Sequence, residues 1–76
     1  MQNTSNEFDN LIYNLCKLRK EHTLPKYKMA KVLGIGISTW NKIESGYMPE
    51  RLGVESIFRA CDFFGIKPKD LLANKL

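Results

Sequence analysis

The residue types that most often carry nucleophilic or metal chemistry are present, but their spacing does not support either. Cys16 and Cys61 stand far apart without a CxxC pair, and His22 is the single histidine, so no zinc-binding set can be assembled from them. Neither cysteine has His22 at the spacing of a nucleophile–base signature, and no two carboxylates are marked as a dyad. The run Gly34-Ile35-Gly36-Ile37-Ser38 lacks the third glycine and the preceding strand of a dinucleotide loop. No catalytic residue, metal or cofactor is therefore expected. The two thiols read as small buried hydrophobes, with a disulfide between them as the alternative.

Hydrogen-bonding residues elsewhere point to recognition instead. Over 37–45, Ser38, Asn41 and Lys42 share one helical face with Ile37 and Ser45, while Trp40 and Ile43 fall on the opposite side. A DNA major groove about 12 Å wide admits one helix, provided that its outer face is small or hydrogen-bonding and something braces it from behind. Lys17, Arg19, Lys20, Lys26, Lys28 and Lys31 crowd one stretch opposed only by Glu21, whereas Glu44, Glu50, Glu55, Asp62 and Asp70 lie mostly beyond it. Twelve Lys and Arg against eight Asp and Glu give a net charge of +4, which suits an anionic partner. On a helical chain such a charge run is otherwise a solvated face.

These residues need helices to position them. Phe8, Leu11, Ile12, Leu15 and Leu18 recur at three- and four-residue steps and predict a helix over 7–22, after a polar arm over 1–6 expected to be disordered. Leu24-Pro25 interrupts the pattern, and proline suits a helix's first turn, so a second helix over 25–33 carries Met29, Ala30 and Leu33 inward until Gly34 stops it. The third helix, 37–45, ends at Gly46. Beyond the Pro49-containing loop, Val54, Ile57, Cys61 and Phe64 mark an inward stripe over 54–64, and Pro68 opens a last helix over 68–74 with Leu71 and Leu72. Nothing alternates at period two, so no strand is expected.

With 76 residues, of which 43% are hydrophobic and 26% charged, the chain reads as one globular domain over 7–76. A domain of this size buries only about 60% of its unfolded surface, so no internal small-molecule site is expected. Apolar runs fall far short of the ~18 residues of a membrane span and no basic-then-apolar leader opens the chain, so no membrane partner and a cytoplasmic location are expected.

Two short helices joined by a glycine-containing link make 25–45 a helix-turn-helix unit. In this unit the chain resembles the Cro/repressor-type (XRE-like) helix-turn-helix family. The likeness runs through LRKEHTLPKYKMAKVLGIGISTWNKIESG and IFRACDFFGIKPKDLL, about residues 15–72, and its features agree in order: Leu18-Arg19, Leu24, Ala30, Leu33-Gly34-Ile35, Ser38-Thr39, Ile43-Glu44, Gly46, Phe64-Gly65-Ile66 and Asp70-Leu71-Leu72. The resemblance implies an all-α, compact five-helix domain with a lambda-repressor-like helix-turn-helix in helices two and three. It also implies a transcriptional regulator of the repressor kind, a homodimer on double-stranded DNA with a roughly palindromic operator. Carried over residue by residue, it assigns Ile37, Ser38, Asn41 and Lys42 to bases, Lys26 to a phosphate at the start of helix two, and Ser45 and Tyr47 to the backbone beyond the recognition helix. Lys28 joins Lys26 on grounds of charge, and the family pattern pairs Arg19 with Glu44 as a positioning device.

Some positions depart from that pattern. Pro25 and Gly36 stand where capping Ser, Thr or Asn is usual, so each helix start loses an acceptor worth roughly 1 kcal/mol. Ile37 replaces a polar base-facing residue and leaves apolar contact with a thymine methyl. Glu50-Arg51-Leu52 lengthens the loop before the fourth helix. The apolar surplus near the C-terminus makes Phe63, Leu72 and Leu76 the interface candidates for a dimer, against the alternative that Phe63 and Leu72 complete the core. The rival function is a protein-interaction module on a helix-turn-helix fold that no longer binds DNA.

Overall fold

The computed structural model describes residues 2–49, 52–73 and 75–76, with side chains from residue 9 onward. The Phe8 side chain and the loop residues Glu50 and Arg51 lie outside the described residues. The elements are α1 (Gln2–Glu21), α2 (Lys26–Leu33), α3 (Ile37–Glu44), α4 (Val54–Phe64) and α5 (Pro68–Ala73), and no strand occurs among the described residues. The fold is all-α, as the pattern of apolar residues implies.

Helix α1 buries Leu11, Leu15 and Leu18 against the other helices. It begins at Gln2, so the arm expected to be disordered is helical backbone from that residue; a polar segment carries no apolar period to mark where such a helix starts. At its other end the chain turns through Thr23, whose φ of 54° is left-handed. The Leu24 N–H donates to the Arg19 carbonyl and the Thr23 N–H to the Lys20 carbonyl, which closes the helix without glycine. A β-branched residue in this conformation is strained.

In α2 the buried residues are Met29, Ala30 and Leu33. Neither Pro25 nor Gly36 supplies a side-chain cap; their carbonyls accept the first helical N–H groups, from Lys28 and Met29 at Pro25 and from Trp40 at Gly36. Gly34 takes φ 74° between the two helices while the Ile35 N–H donates to the Ala30 carbonyl. A Cβ there would lie 3.3 Å from Nε of the exposed, flexible Arg59 side chain, which can give way, so it is the left-handed turn that calls for glycine.

The inward face of α4 differs from the expected stripe. Cys61 is buried and Ile57 and Phe64 are half-buried against the core, but Val54 is 66% exposed. Ser56 and Ala60 are buried instead, because small side chains let α4 approach α2 closely. The Ser56 hydroxyl donates to the Leu33 carbonyl at 2.7 Å, which satisfies the end of α2. Leu71 anchors α5 in the core. Two amides of α1 serve the end of that helix: Asn14 Nδ2 donates to the Leu71 carbonyl at 2.6 Å, and Asn10 Nδ2 reaches the Leu72 and Ala73 carbonyls at 3.1 Å. The Leu76 N–H donates to Asn14 Oδ1 at 2.8 Å, so the chain folds back along α1.

Candidate nucleic-acid interface

Helix α3 separates its two faces cleanly. Trp40 and Ile43 have no exposed surface, while Ile37, Ser38, Asn41 and Lys42 are exposed together on the outer side. Packing fixes the helix from behind and leaves hydrogen-bonding groups outward, as groove recognition requires. Ile37, 49% exposed, adds an apolar edge at the first turn.

The chain leaves α3 through Ser45, whose hydroxyl donates back to the Lys42 carbonyl at 2.8 Å, and Gly46. Tyr47 then stands exposed, with Lys42 Nζ 5.9 Å from its ring centre. A cation at that range is attracted by the ring, which biases Lys42 toward the helix's C-terminal side. Lys26 and Lys28 are exposed in the first turn of α2, and the exposed Tyr27 stands between them. Sequence reasoning passed over Tyr27, although its place between two assigned lysines was visible.

Glu44 ties these parts together. Its Oε2 lies 2.9 Å from Arg19 Nε and its Oε1 3.2 Å from Lys26 Nζ, so one carboxylate at the end of α3 holds a cation from α1 and another from α2. The Arg19–Glu44 contact is an ion pair rather than an aligned hydrogen bond, since the Nε–H does not point along it. Arg19 Nη1 also donates to the Leu24 carbonyl at 2.9 Å, which fastens the turn after α1. Burial pushes the Glu44 carboxyl upward, but the Lys26 ammonium and the nearby Trp40 indole N–H, with the charges of Arg19 and Lys26, outweigh it and hold the group below its ordinary value. The Lys26 contact was not foreseen, because a lysine read for phosphate has no sequence mark for an internal partner.

The remaining chemistry-bearing groups lie elsewhere. Burial raises both Cys16 and Cys61, so each thiol keeps its proton, and both are free cysteines. His22 Nδ1 lies 3.0 Å from the Leu18 carbonyl and its ring tilts against Phe64 at 4.8 Å, the setting of a turn residue. Among the described residues no cluster of His, Cys, Asp or Glu fits a metal ion, and no helix is long and apolar enough to cross a membrane.

The dimer candidates are dispersed. Phe63 is 51% exposed beside a surface groove with Lys31, Val32, Arg59 and Asp62, and its ring meets Phe64 edge-on. Leu72 packs partly against the core, and Leu76 lies against α1 through its N–H. Val54 and Phe58, one turn apart on the outer side of α4, form an exposed apolar pair that the sequence pattern had not singled out together.

A helix-turn-helix with a braced, polar outer helix and flanking lysines defines a DNA-binding regulator, a class that is typically non-enzymatic. Residues 14–74 match the Cro/C1-type HTH DNA-binding domain, and the chain belongs to that family. No curated protein and no solved structure matches the chain.

Proposed function

We propose that the protein is a sequence-specific, cytoplasmic transcriptional repressor that inserts α3 into the major groove of a roughly palindromic operator as a homodimer. The observation that carries this reading is the division of α3 into a fully buried Trp40–Ile43 side and an exposed Ile37, Ser38, Asn41 and Lys42 side. Asn41 has the donor and acceptor to meet adenine, and Lys42 the charge to donate to guanine O6 and N7. Lys26, Lys28, Ser45 and Tyr47 meet the phosphates on either side. Two copies joined across a two-fold axis place their α3 helices about 34 Å apart, one turn of DNA. Phe63 and Leu76 supply exposed apolar surface for that contact, and Leu72 the part of its side chain that the core leaves open.

The test is selection of duplexes from a random library, followed by binding measured over a salt series. A recovered palindromic consensus with steep loss of affinity in salt supports the proposal. Lys28→Ala flattens the salt slope by about one unit; Lys26→Ala flattens it less, because Glu44 already neutralises part of the Lys26 charge. The exposed Ile37 and the side-chain-free caps favour the rival protein-interaction module, for which no duplex is enriched and salt has little effect.

A further inference from the structure

A cleft of about 380 Å³ opens beside the Glu44 network, lined by Cys16, Arg19, Lys20, Lys26 and Glu44. It brings together the C-terminal turns of α1, the start of α2 and the end of α3. Three cations face one carboxylate, and that carboxylate is committed through one oxygen to Arg19 and through the other to Lys26. Arg19 spends a further donor on the Leu24 carbonyl. Lys20 is exposed, and among the described residues it is the cleft's one cation outside this pairing. Cys16 contributes a neutral wall. The cleft therefore carries more cationic than anionic groups, and it adjoins the α2 start and α3 end that the proposed complex brings to the DNA backbone.

We infer that this cleft seats a phosphodiester of the bound duplex, with Lys20 as a phosphate-binding residue beside Lys26. The inference rests on the DNA-binding reading and extends it to a residue on α1. Its geometry is that of a point charge meeting a phosphate oxygen, without a base contact, so it adds affinity and no sequence preference.

The experiment is fluorescence anisotropy of a labelled mixed-sequence duplex with the whole chain, from about 50 to 200 mM salt. Lys20→Ala is compared with Lys69→Ala, which removes the same charge from an exposed position on α5. Lys20→Ala is expected to reduce the slope of log affinity against log salt by about 0.9, so that affinity falls about threefold less than in wild type over that range. Lys20→Arg should restore the slope and Lys69→Ala should leave it at the wild-type value. A steep wild-type slope with Lys20→Ala indistinguishable from Lys69→Ala overturns the seat and leaves the DNA reading standing. A wild-type chain that binds no duplex overturns both. Inorganic phosphate that shifts the Lys20 NMR signals in the absence of DNA, with an unchanged Lys20→Ala slope, identifies a free-anion site and also overturns the assignment.

Discussion

Replacing Glu44 by Gln removes the one anion that faces Arg19 and Lys26 together. Breaking one side of a fully buried pair costs about 3–5 kcal/mol, and of an exposed pair about 0–1. The side chains of Arg19 and Glu44 are 19% and 20% exposed, which places the loss between these limits, at about 2 kcal/mol. In a domain of this length that lowers the melting temperature by about 8–16 °C. Arg19→Met should cost a similar amount, since it leaves Glu44 Oε2 without its cation and drops the bond to the Leu24 carbonyl. The double variant, Arg19→Met with Glu44→Gln, removes both charges and their desolvation and should cost less than either single change. Urea unfolding followed by circular dichroism measures all four corners of the cycle. The pH dependence adds a signed check. Because the folded Glu44 carboxyl is held below its ordinary value, its stabilisation is fully present above about pH 4.3 and is lost as pH falls through the lower folded value. The gap between wild type and Glu44→Gln should therefore narrow at low pH. Single costs that simply add in the double variant, with a gap independent of pH, would refute the pairing as the source of stability.

Asn14→Ala removes the bonds to the Leu71 carbonyl and the Leu76 N–H and should cost about 2–3 kcal/mol in urea unfolding, because the Leu71 carbonyl is left buried. Thr23→Gly relieves a left-handed β-branched residue at the cost of a more flexible unfolded chain and should stabilise by about 0.5–1 kcal/mol; a loss would show that Thr23 carries no strain. Lys42→Ala should relax preference at one operator position by about 1–3 kcal/mol in competition binding, with Lys42→Gln separating the charge effect; equal loss at every position would make Lys42 a phosphate contact.

Periodicity and punctuation reveal much of this fold before any coordinates. Leu11, Leu15 and Leu18 mark the buried side of α1, and Gly34, Gly46 and Gly65 each end a helix in the left-handed region. Thr23 does the same without a signal, since its conformation follows from the carbonyls of Arg19 and Lys20 and not from its residue type. On α4, an apolar count favours Val54 over Ser56, yet close approach to α2 selects the smaller residue and then uses its hydroxyl. Asn10 and Asn14 interrupt an apolar stripe for a reason that lies some sixty residues away, in the carbonyls at the end of α5. The outer face of α3 is legible because one helix contains it. The Lys26 contact and the cleft at Lys20 arise only when three helices meet, and no local pattern encodes them.

Glu44 connects stability and recognition through a single charge. Helix α3 packs by Trp40 and Ile43, which fix its depth but leave open a rotation about the contact. The carboxylate in its last turn removes that freedom by holding Arg19 from α1 and Lys26 from α2. The same two contacts set the position of Lys26 relative to the end of α3, so in the proposed complex the spacing of phosphate and base contacts is built into the folded domain. A side chain already ordered loses less entropy when a phosphate meets it. In the proposed complex Lys26 arrives partly neutralised, and the exposed lysines Lys20 and Lys28 are expected to contribute more than Lys26 to the long-range attraction to DNA.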